Sequence, residues 1–311
     1  MTNYGWEILR LMFKYEPIKK WSDMENKPVL AVIGGSGLYE IDGLEDVQTI
    51  ELDTPFGKPS SPITLGKLKG KVIAFLARHG IGHIFSPSDV PYRANIFALK
   101  SLGVKRILSV SACGSLREAY APGHIVIPNQ IFDFTHKREK SFFDHGLVAH
   151  VSMADPFCNS LSDLLENSLK NTNANVHRGG TYITIEGPRF STKGESGLYR
   201  QWGMDIIGMT ASPEVFLARE AEICYSTMAH VTDYDVWHVS EESVTVEIVI
   251  KTLQKNVQIA KETIKFMMEN IDLVEKCSCG NALENAIITH PGKISQEKRN
   301  QLGILVDRYF D

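Results

Sequence analysis

The stretch VLAVIGGSGLYE, residues 29–40, sets an apolar run directly against Gly34, Gly35, Ser36 and Gly37. It reads as a strand ending in a phosphate-cradle loop, because glycines let backbone N–H groups converge on an anion and a serine hydroxyl adds a donor. A dinucleotide fingerprint needs a third glycine near Glu40, and a P-loop needs Gly-Lys-Ser/Thr; neither is met. Taken alone, the loop reads equally as a plain tight turn. Four more strand-like runs follow, at 71–77 (KVIAFLA), 104–112 (VKRILSVSA), 181–187 (TYITIEG) and 223–231 (ICYSTMAHV). They alternate with helical stretches, which predicts an α/β fold around a largely parallel or mixed sheet.

With 311 residues, 43% apolar and 23% charged, the chain can bury a full core. A net charge of −4 argues against nucleic acid, and the basic cluster HKREK at 136–140 is short enough to read as a solvated loop. No apolar run approaches a membrane span, and charges interrupt the N-terminal stretch 6–21, so neither a membrane segment nor a signal peptide is expected and the cytoplasm is the expected location. The cysteines at 113, 158, 224, 277 and 279 match neither zinc spacing nor a secreted disulfide scaffold, although Cys277 and Cys279 could form a tight disulfide. Residues 1–27 read as a peripheral extension, 28–275 as the domain, and 276–311 as an appendage broken by Gly, Pro and charge. Near the domain's end, Val246, Val249, Leu253, Val257, Ala260, Ile264, Met267 and Ile271 recur at helical spacing after the acidic SEES at 240–243.

Chemistry-bearing residues cluster where the strands end. In LARHGIGH (76–83), Arg78 suits bidentate oxyanion binding and His79 can donate to the same anion, though a structural ion pair is the plainer reading of Arg78. His79 and His83 have metal-site spacing, but Gly80 and Gly82 argue against the helix that would align them. In ILSVSACGSL (107–116), Ser111 and Ala112 let a ligand approach the backbone, while Cys113 and Ser115 lack the context of a nucleophile. TYITIEGPRFST (181–192) offers Glu186, Arg189 and an aromatic wall in Phe190, and DIIGMTASPEV (205–215) offers Met209, Thr210 and Glu214.

MAHVTDYDVWH (228–238) ends an apparently buried strand in two aspartates. Strand alternation places Asp233 and Asp235 on one face, where burial and mutual repulsion favour protonation of one of them.

GGSG, RHG, SACGSLRE, TIEGPRFST, GMTASPE and TDYD, in this order and spacing, resemble the S-methyl-5′-thioadenosine phosphorylases of the purine nucleoside phosphorylase family over roughly residues 28–275. The resemblance implies a mixed, partly barrel-like sheet flanked by helices, assembly as homotrimers or homohexamers, and no metal or organic cofactor. It implies phosphorolysis, in which phosphate attacks the ribose C1′ as adenine leaves. Ser36, Arg78, His79, Ser111, Ala112 and Thr210 would hold phosphate, Met209 the ribose and Phe190 the base. Val246 and Val249 would line the methylthio pocket, with His150 reaching in from a neighbouring subunit; the two valines fit a core stripe equally. Asp233 would be the acid that protonates N7, and Asp235 the acceptor for the 6-amino group. Ser36 and Ser111 stand where many relatives have threonine, and the CSCGN tail looks like that of archaeal members. The competing readings are a broader purine nucleoside phosphorylase acting on adenosine or inosine, a nucleoside hydrolase, and a nucleoside-sensing binding protein.

Overall fold

The computed structural model describes residues 27–238, 246–274 and 276–310; the side chains of Ser36, Tyr39 and residues 246–255 lie outside the description. Its strands are β1 (Leu30–Gly34), β2 (Glu45–Ile50), β3 (Ile63–Leu68), β4 (Lys71–Ala77), β5 (Arg106–Ser115), β6 (Ile125–Ile127), β7 (Gln130–Phe134), β8 (Val176–Arg178), β9 (Thr181–Ile185), β10 (Ile206–Gly208) and β11 (Cys224–Asp233). The helices are α1 (Tyr92–Ser101), α2 (Asn159–Leu169), α3 (Lys193–Gln201), α4 (Ala211–Glu220), α5 (Val246–Asn270) and α6 (Gln296–Leu302). The five apolar runs became β1, β4, β5, β9 and β11, while strands as short as β6, β8 and β10 leave too little sequence for a pattern.

These strands form one mixed sheet in the order β2-β3-β4-β1-β5-β10-β9-β7, with β11 branching from β5 and continuing through β6 to β8. The fork exists because β5 is long enough to change partners. Its Ile107–Ser109 portion lies between β1 and β11, both parallel to it, and Gly114 and Ser115 pair antiparallel with β10. Parallel β1, β4, β5 and β11 therefore finish on the same side, where open α/β sheets bind ligands.

Burial on both faces explains why β1 lacks polar alternation. Ala31 and Ile33 pack in one core with Phe97 and Leu99 of α1 and Val215 and Leu217 of α4. Leu30 and Val32 pack in another with Leu161 and Leu165 of α2 and Ile264 and Met267 of α5. Of the stripe's described side chains, Ala260, Ile264, Met267 and Ile271 are fully buried and Val257 is half-buried. The C-terminal segment corrects the expectation of an appendage: Leu283, Ile294, Leu302, Leu305 and Val306 are buried in the same core as α1 and α4. Lys298 anchors it further, its Nζ donating to Asp144 at 2.7 Å.

Candidate active site

A cavity of about 200 Å³ lies where β5, β10 and β11 end. It is lined by Asp233, Asp235, His79, Ala112, Thr210, Met209 and Phe190, among others, so one pocket gathers seven of the residues singled out in the sequence.

Strand alternation is not what brings the aspartates together. β11 ends at Asp233 after a register shift against β5, and Asp235 sits in a turn at φ +52. The turn folds the Asp235 N–H back onto Asp233 Oδ1 at 2.8 Å, while the Thr232 hydroxyl donates to Oδ2 at 2.7 Å. Burial raises the Asp233 carboxyl to about 6 against these two donors, and the Asp235 charge adds to the rise. Burial also raises Asp235, opposed by the neighbouring Ser196 and Ser191 hydroxyls; neither hydroxyl reaches hydrogen-bond geometry, so the buried Oδ2 is without a partner. That oxygen is an acceptor awaiting a donor. Gly114 makes room for the pair, since a Cβ there would stand 2.9 Å from Asp233 Oδ1 and 3.0 Å from Ile207.

The other side of the pocket suits an anion. His79 Nδ1 lies 2.9 Å from the Phe85 carbonyl, which can only accept, so Nδ1 carries the hydrogen. Burial, with the Arg78 charge next, lowers His79 to about 4, so the ring is neutral and Nε2 is left as an acceptor. In this tautomer the ring offers Nε2 to a ligand's own hydroxyl. The glycine-bearing loop forms no helix, yet it stacks the His79 and His83 rings 4.2 Å apart. Ser111 Oγ is buried without a partner, and Thr210 makes no side-chain capping bond to α4.

Arg78 is not part of the lining. With 3% of its side chain exposed, it forms a bidentate pair with the fully buried Glu214, Nε to Oε2 and Nη2 to Oε1, both at 2.8 Å. Nη2 also donates to Ser109 Oγ at 2.6 Å and faces the Ile33 carbonyl at 3.4 Å, and Nη1 donates to the Val110 carbonyl at 3.2 Å, so all but one of its hydrogens are used within the protein.

On the apolar side, Phe190 is partly exposed at the pocket, with Ile185 and Ile207 completing the wall. The α3 capping box fixes the chain just after Phe190: Thr192 Oγ1 accepts from the Glu195 N–H at 3.2 Å, and Glu195 accepts from the Thr192 N–H at 2.8 Å. Met209 is held by a residue whose place the sequence pattern conceals. Arg138, within the supposedly solvated HKREK, is buried and donates through Nη1 to the Met209 carbonyl at 2.7 Å and the Ser212 carbonyl at 2.6 Å. A single arginine that enters the core is invisible in a cluster judged by net charge.

Glu186 and Arg189 do not line this pocket. Glu186 accepts from the His136 and Lys137 N–H groups and pairs with Arg138, while Arg189 pairs with Glu195 at 2.6 Å. The Ser36, Val246 and Val249 side chains lie outside the described ones. His150 is exposed and is not in the pocket of its own chain. Thr232, Cys113, Gly114 and Ser191 line the site without having been singled out for it. Of these, only Thr232 carried a signal, its hydroxyl standing beside Asp233.

Residues 29–267 match the Phosphorylase superfamily, to which the chain belongs. It is similar to the S-methyl-5′-thioadenosine phosphorylase of Geobacter sulfurreducens, with 50% identity over 282 residues, 90% of this chain and 99% of that one. A crystal structure of a methylthioadenosine phosphorylase from an antarctic soil metagenomic library matches with a TM-score of 0.86 and 46% identity, covering 90% of this chain and 99% of the other. A mutant adenosine/methylthioadenosine phosphorylase from Schistosoma mansoni in complex with adenine matches with a TM-score of 0.76 and 38% identity, covering 80% and 93%. No helix among the described residues is long and apolar enough to cross a membrane.

Proposed function

We propose that this chain catalyses the phosphorolysis of S-methyl-5′-thioadenosine to adenine and S-methyl-5-thio-α-D-ribose 1-phosphate. The observation that carries the reading is the buried carboxyl pair, one member raised to about 6 and the other with an unpartnered oxygen. As the C1′–N9 bond breaks, the departing adenine gathers negative charge, and the Asp233 proton passes to N7. Asp235 Oδ2 accepts from the 6-amino group, a role a 6-oxo purine cannot fill. Phosphate lies across the pocket against Ala112, Ser111, Thr210 and Ser36, with the Arg78 guanidinium charge behind it. His79 Nε2 takes the hydrogen bond from the hydroxyl of hydrogen phosphate, which leaves an unprotonated oxygen to attack C1′. Met209 faces the ribose and Phe190 the base. Val246, Val249 and His150 of a neighbouring copy complete the methylthio end of a cytoplasmic homotrimer or homohexamer.

The S. mansoni neighbour, named for both adenosine and methylthioadenosine, favours a second reading in which a 5′-hydroxyl is also tolerated. Incubation of each nucleoside with and without phosphate, following free adenine, tests both. Phosphate-dependent release is expected, faster from methylthioadenosine. Equal release in phosphate-free buffer would refute phosphorolysis.

A further inference from the structure

Four of the five cysteines, remote from one another in the chain, meet on the side of the sheet away from the pocket. Cys158 immediately precedes α2, Cys224 opens β11, and Cys277 and Cys279 come from the C-terminal segment. Their sulfurs all lie within 4.8 Å of one another, with Cys224 and Cys277 Sγ 3.3 Å apart, and none is in a disulfide. No zinc spacing is visible in the sequence because the ligands come from three segments, and only the Cys-x-Cys pair is local. We propose that Cys158, Cys224, Cys277 and Cys279 form a closed tetrathiolate site for one zinc ion, which pins the C-terminal segment to the heads of α2 and β11.

A tetrahedral ion with Zn–S near 2.3 Å spaces its sulfurs about 3.8 Å apart, within the separations observed here. Four soft thiolates with no oxygen or nitrogen ligand select zinc over calcium, magnesium or manganese. Arg219 supplies the outer contact such a site requires, its Nη1 donating to Cys279 Sγ at 3.2 Å. Its positive charge offsets part of the negative charge that four thiolates leave on a dication. With four protein ligands, no coordination position remains for substrate, so the role is structural. The distance agrees: Cys224 and Asp233 are the opposite ends of β11, about 30 Å apart at the usual rise per residue. The site explains why a segment beyond the last long helix stays packed in the core.

The test uses the full chain, purified without chelator, added metal or a metal-affinity step. Elemental analysis is expected to find about one zinc per chain, falling below about a tenth in Cys277→Ser and Cys279→Ser. Zinc removal should lower the melting temperature, since an ion bound only by the folded state stabilises it. Should the variants fail to fold, the wild-type chain produced with cobalt in place of zinc is expected to show the intense visible bands of a tetrathiolate cobalt centre. Folded, zinc-free protein with all four thiols titratable would overturn the proposal. So would a mass deficit matching two disulfides, iron in place of zinc, or zinc retained in the serine variants.

Discussion

Asp233→Asn separates the chemistry of the site from its stability, because the same burial serves one at the expense of the other. Raising a buried carboxyl from 3.8 to about 6 penalises its ionised form by on the order of 3 kcal/mol. The folded state binds this proton more tightly than the unfolded chain does. The penalty is therefore absent below about pH 4, grows as pH rises through 6, and is complete above it. An amide never ionises and escapes it. However, the amide side chain would keep only one acceptor oxygen for the two donors that Asp233 satisfies, Thr232 Oγ1 and the Asp235 N–H, at a loss of about 1 kcal/mol. The variant should thus gain about 1–2 kcal/mol over wild type at pH 7.5 and lose that advantage near pH 4. Its turnover of methylthioadenosine should fall about a hundred-fold or more, since the amide has no proton to transfer to N7. Urea unfolding from pH 4 to 8 and adenine release at saturating phosphate measure the two effects. Normal turnover, or a stability difference that does not change with pH, would refute the assignment of Asp233 as a buried acid.

Asp235→Asn places a donor beside the 6-position and should narrow the preference for methylthioadenosine over methylthioinosine; an unchanged kcat/KM ratio would remove Asp235 from base recognition. Arg78→Ala leaves Glu214 buried without its partner and should lower stability by about 3–5 kcal/mol, read by urea unfolding, with a raised KM for phosphate in protein that remains folded. Leu302→Ala should lower stability by about 2–5 kcal/mol, because this side chain is fully buried in the main core; an unaltered melting curve would show that the C-terminal segment does not hold the fold. His150→Ala should raise KM for methylthioadenosine while leaving KM for phosphate unchanged, and sedimentation should show a multiple of three chains; a fully active monomer would exclude a shared pocket.

Residues 29–40 announced a strand and its terminal loop because burial on both faces demands an unbroken apolar run, and a tight turn beside it demands glycine. Asp233 and Phe190 were legible for a similar reason: each stands just past a strand-like run, and strand ends are where an α/β sheet binds ligands, whereas Met209 and Thr210 were read from the GMTASPE stretch. Such signals are local, so the sequence by itself determined the fold class, the chain order of its main strands and part of the pocket wall. The partners of these residues were not local. Glu214 neutralises Arg78 across 136 residues, Arg138 leaves a charged cluster to hold Met209, and Asp235 meets Asp233 through a left-handed turn rather than by strand alternation. Four cysteines converge from three segments in the same way. Only the tertiary structure decided these pairings, because they depend on the fork at β5 and on strand register. Periodicity reports how buried a residue is, and it carries no information about which distant side chain shares that burial.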